Sequence, residues 1–507
     1  MKWCVAAVSA AIFFASGTLS AADDSKQAPH AQGNAQSAPA GDGGADLAAA
    51  HALLDSWKGE IEIIEQARHK LNAAWQADPK NPAVLKELER YQVLRKQMLA
   101  IQRKTRGGSG IAEVRKILDT WSGQPEVLAQ ARQALDKVLA GDPFNAYAFI
   151  ETARLEMMRG YMNNRYAKNG KFVYEVGNFA PSAYRRAIEA IGTARGYDPL
   201  AGDVYVMQSY IYFQQAQLDA AEQALKTAES MGATDPRLHL YWADVHFARG
   251  NYPAAVERVQ RALQGPGDGT KTKVMANTRL ASIYQQTGEA EKAIAAHKAL
   301  IDLEPQNAWI HNNYSAYLCN SLGRNDEAIA EARSALRIMD FGAGHMVLAS
   351  ALYGKWADLV AEHKAGAEPY FDEARRLRPN LDEVMAYGAA LPTGERLAKA
   401  LISKRVSIDA RAFDGSTALL IATNLSRNQT VKFLLGLKAN PNVADANGWT
   451  PLLSAASEGN PEGVDLLLAK GADIRATLSG KDAATLAEQN GYPELAASLR
   501  KRMTGRK

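Results

Sequence analysis

Small and apolar residues recur along most of the chain at helical spacing, seven positions apart and followed by a proline five positions later. Ala67, Ala74 and Pro79 follow this pattern, and it returns in the sets that begin at Ala187 and Ala367. Residues seven apart lie on one face of a helix, and small side chains let two antiparallel helices approach closely. A proline ends one helix and suits the start of the next. The pattern therefore predicts paired helices from residue 46 onward.

One long segment of this pattern occurs twice. Residues 53–79 recur at 117–143, with Trp57 matched by Trp121 and Pro79 by Pro143. The copies are 64 residues apart, which is roughly the length of two helical hairpins. Repetition of this kind is typical of stacked units, none of which can bury its apolar face alone.

The pattern over 46–388 resembles the tetratricopeptide repeat, a helical hairpin of about 34 residues. The copies that fit best are 203–236, 237–264, 274–305 and 308–340. A glycine is expected at the turn between the two helices of a pair, since a backbone without Cβ is useful there. Gly160, Gly250 and Gly288 hold such positions.

An insertion of about 20 residues, at 161–182, separates two helices that we expect to pair. Asn169–Gly170 lies between two β-prone runs, which predicts a hairpin. It carries aromatic side chains such as Tyr166 and Phe172 together with basic ones such as Arg165 and Lys171. The insertion either reaches a partner or covers the adjacent groove, and the sequence leaves both open.

The period changes near residue 389, where the segment ALPTG breaks the helical pattern. DGSTALLIAT at 414–423 returns as NGWTPLLSAA at 447–456, an offset of 33 residues. This resembles ankyrin repeats and extends over 394–502, with a degenerate first half-repeat and a last repeat that lacks the threonine. The resemblance implies that glycine permits a tight turn, threonine caps the first helix, proline or alanine starts it and leucines pack between units. These roles fall on Gly415, Thr417, Ala418, Leu434, Leu435, Gly448, Thr450, Pro451, Leu467 and Leu468.

The first 22 residues have the order of a secretory signal peptide. Lys2 gives a short positive region, Cys4 to Gly17 are apolar or small, and Ser20 to Ala22 offer a small-residue cleavage site. The alternative is an uncleaved anchor, although the apolar stretch is shorter than the ~20 residues that span a bilayer. Residues 23–45 are polar and small, so we expect a flexible linker after cleavage.

Composition narrows the class of partner. The chain of 507 residues has 59 basic and 55 acidic side chains, a net charge of +4 that is too even to indicate nucleic acid or a membrane surface. No later segment has ~18 consecutive apolar residues, so no transmembrane segment is expected in the mature chain. Cys319 would be the single cysteine left after cleavage, and one thiol cannot form an internal disulfide.

Catalytic motifs are weak throughout the sequence. His239 and His246 lie seven apart on one predicted helix and would be metal ligands or, in the alternative, partly buried helix positions. The segment GPGDGTKT at 265–272 lacks the glycine before lysine and the preceding strand of a phosphate loop. Ser498 and Lys501 have a Ser-x-x-Lys spacing that arises readily by chance. We therefore expect no enzyme activity, no cofactor and no metal.

The tetratricopeptide resemblance implies a concave face formed by the first helix of each pair, and the ankyrin resemblance implies contacts near the hairpin tips. Aromatic, arginine and amide side chains are enriched at binding hot spots, although the same positions serve packing or solvation. The candidates for partner binding are Tyr147, Arg154, Met207, Tyr210, Arg237, Tyr241, Asp244, Arg279, Asn312, Asn313, Asp445, Asn447 and Trp449. Trp449 falls at a position that is exposed in many ankyrin repeats.

The sequence thus predicts an all-α fold, a tetratricopeptide-like α-solenoid over 46–388 followed by a short ankyrin array over 394–502. The expected function is a non-catalytic scaffold that binds proteins or peptides in the periplasm of a bacterial cell envelope. A secreted effector that acts on host proteins, or an enzyme of unrecognised type, are the alternatives. The bacterial assignment rests on resemblance and on the lack of disulfides.

Overall fold

The computed structural model describes residues 43–121, 124–161, 181–265, 269–391 and 393–505. The predicted signal peptide, nearly all of the predicted linker and all but the ends of the insertion lie outside these ranges. Contacts divide the chain into two compact units, whose described parts run from residue 43 to Ile283 and from Tyr284 to residue 505. Each unit is described by itself below.

The first unit is built from helices that pack as consecutive pairs, as the seven-residue steps predict. Its helices are α1 Gly43–Ser56, α2 Ile61–Ala77, α3 Pro82–Thr105, α4 Ser109–Asp119, α5 Pro125–Gly141, α6 Ala146–Tyr161, α7 Pro181–Tyr197, α8 Asp203–Gln214, α9 Leu218–Ser230, α10 Leu238–Ala248, α11 Tyr252–Gln264 and α12 Thr270–Thr287. The main pairs are α1 with α2, α4 with α5, α6 with α7, α8 with α9 and α10 with α11. The boundary between the units falls inside α12.

Small residues lie at the helix contacts, where the sequence pattern places them. Ala67, Ala74, Ala187 and Ala194 are buried, and Ala67, Ala187 and Ala194 belong to the hydrophobic cores of the first unit. Gly250 lies at the turn between α10 and α11, and Gly288 lies at the turn that follows α12. Gly160 does not, because α6 continues through it to Tyr161, so the prediction of a turn at Gly160 is wrong.

The second unit continues with helical pairs and then with shorter helices joined by tight turns. Its helices are α13 Ala290–Leu303, α14 Ala308–Tyr317, α15 Asn325–Ile338, α16 Gly342–Ala361, α17 Glu368–Leu377, α18 Leu381–Gly388, α19 Gly394–Ser403, α20 Ala418–Asn424, α21 Asn428–Gly436, α22 Pro451–Ser457, α23 Pro461–Leu468, α24 Ala483–Gln489 and α25 Pro493–Met503. A π-helical turn, Leu318–Leu322, extends α14. The strands of the described residues are β1 Thr477–Leu478 and β2 Lys481–Asp482, an antiparallel pair.

One hydrophobic core runs through the second unit, from Ala293 on α13 to Leu499 on α25. It does not stop at the change of repeat class near residue 389. Helix α19 packs against α16, and the Arg427 guanidinium donates a hydrogen bond to the Ala390 carbonyl at 2.9 Å. The last long hairpin therefore covers the apolar face of the first short repeat.

Threonine caps and positive-φ glycines shape the short repeats as the resemblance implies. Thr417 accepts a hydrogen bond from the Leu420 amide through its hydroxyl at 3.3 Å, which satisfies one free donor at the start of α20. Gly415 has φ +81°, and a Cβ there would lie 2.8 Å from the Ala446 amide nitrogen. In the last repeat Asp482 replaces the threonine and caps α24 by accepting from the Thr485 amide at 2.8 Å.

The described residues thus form an all-α solenoid fold, as predicted. Within them, no helix combines the length and the apolar character needed to cross a bilayer.

Candidate functional site

The candidate contact residues of the first unit lie on the first helices of successive pairs, which pack side by side. Helix α6 contacts α8, and α8 contacts α10. Tyr147 and Met207 point into the core, with 2% and 1% of their surface exposed. Their role in this structure is packing. Of the remaining candidates of this unit, Arg237 and Tyr241 are buried. The others are partly exposed, namely Arg154, Tyr210, Asp244 and Arg279.

Tyr210 on α8 and Tyr241 on α10 stack on each other. Their ring centroids are 5.1 Å apart and their planes are inclined by 26°. Tyr241 is buried, which raises the pKa of its hydroxyl, while Tyr210 is half-buried. Stacked rings of this kind present a large and rigid contact surface with few rotatable bonds.

Arg279 and Asp244 form a two-pronged ion pair between α12 and α10. Arginine Nε and Nη2 donate to the two carboxylate oxygens at 2.8 and 2.6 Å. Arg279 Nη1 also donates to the Met275 carbonyl at 3.1 Å. Burial opposes the charge of Arg279, but Asp244, with smaller contributions from Tyr241 and Tyr210, raises the pKa of its guanidinium above the usual value. Both charged groups are half-buried, so their orientation is fixed before any partner arrives.

Arg154 and Arg237 share a buried carboxylate, Glu151 on α6. Arg154 Nη1 lies 3.5 Å and Arg237 Nη2 3.7 Å from its oxygens, and Arg115 Nε donates to it at 2.7 Å. Burial opposes ionisation of Glu151, but Arg237, Arg115 and Arg154 together hold its pKa below the usual range. Arg154 also pairs with Asp119 at the surface.

A second buried carboxylate, Asp235, also forms an ion pair with Arg237. Arg237 donates to it through Nε at 2.9 Å and Nη2 at 2.6 Å, and Arg106 Nη2 lies 2.8 Å from the same carboxylate. Arg106 pairs in turn with Asp203 at 2.9 Å. Sequence reasoning missed Arg106, Glu151 and Asp235. Their ion pairs, Arg106 with Asp235 and Arg115 with Glu151, join residues far apart in the sequence, and the repeat pattern does not mark such pairs.

We call the candidates around the stacked rings the tyrosine–arginine patch, in which Arg237 and Tyr241 are buried and the others are partly exposed. It consists of Arg154, Tyr210, Arg237, Tyr241, Asp244 and Arg279. Each of these side chains is held by stacking or by an ion pair, and Arg154 and Arg237 are paired with carboxylates outside the patch, namely Glu151, Asp119 and Asp235. Stacked aromatic rings and paired arginines of this kind are typical of binding hot spots.

The two histidines considered as metal ligands have other roles here. His246 stacks on Trp242 at 5.4 Å, and His239 Nδ1 lies 3.4 Å from Arg258 Nη1. Desolvation lowers the pKa of both imidazoles. Across the described ranges, no group of three or more histidine, cysteine, aspartate or glutamate side chains is arranged to hold a metal ion.

In the second unit the candidates differ in exposure. Asn312 on α14 is buried and its Oδ1 atom has no hydrogen-bond partner, whereas the neighbouring Asn313 is exposed. Asp445 organises the turn of one short repeat, where its carboxylate accepts from the amides of Asn447 at 2.9 Å and Trp449 at 2.8 Å.

The exposed aromatic at a hairpin tip is Phe413 rather than Trp449. Trp449 is half-buried and packs against the core, so the expectation of an exposed Trp449 is wrong. Phe413 is 56% exposed and occupies the place that Ala446 holds one repeat later. Counting two positions back from Gly415 in the repeat would have identified it. Asn447, exposed at the tip itself, remains a predicted contact.

A cavity of about 840 Å³ opens beside the π-helical turn in the second unit. Cys319, Asp358, Thr393 and Arg396 are among the residues that line it. Burial raises the pKa of the Cys319 thiol to about 12, which keeps it protonated and unreactive. Asp358 and Arg396 pair across it at 3.0 Å.

Two family models match the chain. A tetratricopeptide-repeat model matches residues 182–236, 207–269 and 278–343, and an ankyrin-repeat model matches three copies over 387–500. The chain is a tetratricopeptide-repeat protein with C-terminal ankyrin repeats. In this protein the tyrosine–arginine patch lies on first helices of matched tetratricopeptide repeats, apart from Arg154, which lies on the helix before the match begins.

Curated relatives share only short segments with this tetratricopeptide–ankyrin protein. It is 42% identical over 87 residues to glycerophosphocholine phosphodiesterase gde1 of Schizosaccharomyces pombe, covering 17% of this chain and 8% of that protein. It is 30% identical over 124 residues to neurogenic locus notch homolog protein 1 of Danio rerio, covering 22% and 5%. It is 32% identical over 101 residues to E3 ubiquitin-protein ligase KEG of Arabidopsis thaliana, covering 19% and 6%. The chain spans less than a tenth of the length of each.

Both repeat families are typically non-catalytic interaction modules, which supports a protein–protein interaction scaffold with protein partners.

Proposed function

We propose that this protein is a non-catalytic adaptor of the bacterial cell envelope, which binds one protein partner at the tyrosine–arginine patch and another at the ankyrin hairpin tips. The observation that carries the proposal is the Tyr210–Tyr241 stack beside the Arg279–Asp244 ion pair. Two binding surfaces on one chain raise avidity when both can be engaged together.

The patch has the chemistry of a binding hot spot. Tyrosine and arginine dominate hot spots because they combine a large apolar area with directional hydrogen bonds. Side chains that are already fixed by stacking and ion pairs lose little conformational entropy when a partner binds. The fixed Arg279 guanidinium and the Tyr210 ring therefore offer a partner both contact area and orientation.

Export to the periplasm is part of the proposal and rests on the order of charged, apolar and small residues over 1–22. A second candidate function, a secreted effector that acts on host proteins, uses the same repeats. Fractionation of cells that express the full-length chain separates the two, because a periplasmic adaptor stays with the cells and an effector reaches the medium.

In-cell crosslinking followed by mass spectrometry of the captured chains tests the adaptor function. Wild type is compared with Tyr210→Ala and Phe413→Ala, which truncate an aromatic on each proposed surface. Leu200→Ala is the matched control, since Leu200 is an exposed apolar residue of the first unit outside the patch. Thermal unfolding of each purified variant shows whether the fold is kept.

We expect each aromatic variant to lose a different set of captured envelope proteins, because hot-spot truncation costs about 2 kcal/mol or more. The Leu200→Ala control should capture what wild type captures. If all variants with intact folds capture the same chains as wild type, neither surface binds a partner and the adaptor proposal fails.

A further inference from the structure

A second, smaller recess lies between two helices of the second unit and carries none of the residues of the tyrosine–arginine patch. Its volume is about 340 Å³, which is within the range of binding pockets. Helices α13 and α15 form its walls and α14 its floor. We call it the acidic recess, and it is lined by Lys298, Ile301, Asp302, Tyr314, Glu327, Ala330 and Glu331.

The floor holds a polar group without a partner. Tyr314 is 2% exposed, its ring stacks on His297 at 5.1 Å, and its hydroxyl makes no hydrogen bond. A buried hydroxyl left unpaired costs about 1–3 kcal/mol. The hydroxyl therefore gains from a ligand that enters the recess and brings a donor or an acceptor to it.

The walls are acidic. Asp302, Glu327 and Glu331 contribute three carboxylates against the single ammonium of Lys298. Two of these carboxylates already have one partner each, since Arg324 pairs with Glu327 at 2.6 Å and His311 with Glu331 at 2.6 Å. A carboxylate accepts up to about four hydrogen bonds, so both keep acceptor capacity toward the recess.

The unpaired Tyr314 hydroxyl and the acidic walls together indicate which ligand the recess would bind. A cation is favoured by the carboxylates, and a flat cation is favoured by the apolar surface of Ile301 and Ala330. A guanidinium is planar, weakly hydrated and rich in donors, whereas an ammonium is a compact and strongly hydrated charge. Guanidinium donors can reach two carboxylates and a phenol oxygen at once.

We propose that the acidic recess receives an arginine side chain of a protein partner, with its guanidinium between the carboxylates and against the Tyr314 hydroxyl. This goes beyond the adaptor function, because it adds an interaction surface with its own chemistry on the second unit.

Methyl NMR of the full-length chain, labelled at isoleucine δ1 methyl groups, tests the proposal. Ile301 lines the recess, and an Ile301→Val variant assigns its signal by removing it. The probes are the capped tripeptides Gly-Arg-Gly, Gly-Lys-Gly and Gly-citrulline-Gly, where citrulline has the shape of arginine without its charge. We expect the arginine peptide to shift the Ile301 signal and the citrulline peptide to bind at least tenfold more weakly.

Variants separate recognition in the recess from general attraction to an acidic protein. Tyr314→Phe keeps the ring and removes the hydroxyl, and Asp302→Asn removes one exposed carboxylate. Each should weaken the arginine peptide about threefold to tenfold, while the melting temperature of Tyr314→Phe stays at or above that of wild type. Glu257→Gln is the matched control on α11, outside the recess, and should bind as wild type does.

Three results would overturn the proposal. The first is an Ile301 signal that no peptide shifts. The second is an equal response to arginine and citrulline. The third is wild-type binding by both Tyr314→Phe and Asp302→Asn. A lysine peptide that binds as tightly as the arginine peptide would also contradict the choice of guanidinium.

Discussion

At the scale of single residues, the buried charges of the first unit are the feature with the largest energetic consequence. Glu151 is fully buried beneath Arg115, Arg154 and Arg237. Such an arrangement adds little over an apolar core of the same shape, but removing one member leaves an uncompensated charge in a poorly solvated place.

We therefore expect Glu151→Gln to destabilise the first unit by about 3 kcal/mol, measured as the shift of its urea-unfolding transition. Glu257→Gln is the control, because Glu257 pairs with Arg261 on an exposed helix face, and such pairs contribute less than about 0.5 kcal/mol. Equal stability of the two variants would show that the carboxylate of Glu151 does not compensate the arginines.

His297 is expected to make the second unit sensitive to acid. It is buried between Tyr314 and Tyr317, and desolvation lowers its pKa to about 4 from an ordinary value near 6.5. Between pH 6.5 and 4 the unfolded chain binds a proton that the folded chain does not, so the free energy of unfolding falls as the pH falls through this window.

Unfolding of wild type and His297→Gln from pH 7.5 to 4 checks this expectation. The difference in stability between the two should shrink as the pH falls, by roughly 3 kcal/mol at most. A difference that stays constant over this range would mean that His297 titrates normally in the folded protein.

At the scale of elements, the sequence predicted the helical pairs and the short repeats because their signals are local. Alanine spacing, the Thr417 cap and Gly415 all act within one turn or hairpin, and all are found where predicted. The prediction at Gly160 was wrong, because α6 continues through Gly160 to Tyr161, and a glycine inside a helix costs only about 1 kcal/mol relative to alanine. The buried arginine cluster around Glu151 was not predictable, because Arg115 and Arg237 come from parts of the chain that are distant in sequence.

The tight turn of the first full ankyrin repeat requires glycine at Gly415 for two reasons, a positive φ and a close backbone neighbour. Gly480 shares only the positive φ, so a comparison of the two separates the two effects. Gly415→Ala places a Cβ in the left-handed region and 2.8 Å from a backbone nitrogen, whereas Gly480 has φ +79° with open space around it. We expect Gly480→Ala to cost about 1 kcal/mol and Gly415→Ala clearly more, measured by thermal unfolding. Equal costs would mean that the backbone near Ala446 moves aside.

At the scale of the whole molecule, the continuous core of the second unit indicates that its two repeat classes fold together. The sequence pattern divides them near residue 389, but Ala398 and Leu401 on α19 are buried in the same core as Trp356 on α16. In a linear stack each unit is stabilised by its neighbours, so removing one side of the stack exposes an apolar face.

A fragment of residues 394–505 should therefore unfold at a lower temperature than a fragment of residues 284–505, as followed by circular dichroism. The longer fragment should also lose both repeat classes in one transition, because the core crosses the boundary between them. Independent transitions at the same temperatures as in the separate pieces would contradict this coupling.

The buried thiol of Cys319 makes the rate of local unfolding around it measurable by thiol labelling. It is the one cysteine of the described residues, 4% exposed, and its high pKa leaves almost no thiolate to react. A maleimide can modify the thiol only in molecules whose π-helical turn has separated from its neighbours by local unfolding. The labelling rate therefore measures how often this local unfolding occurs. With Cys4→Ser removing the other thiol of the sequence, a partner that binds next to the π-helical turn would lower the labelling rate at Cys319.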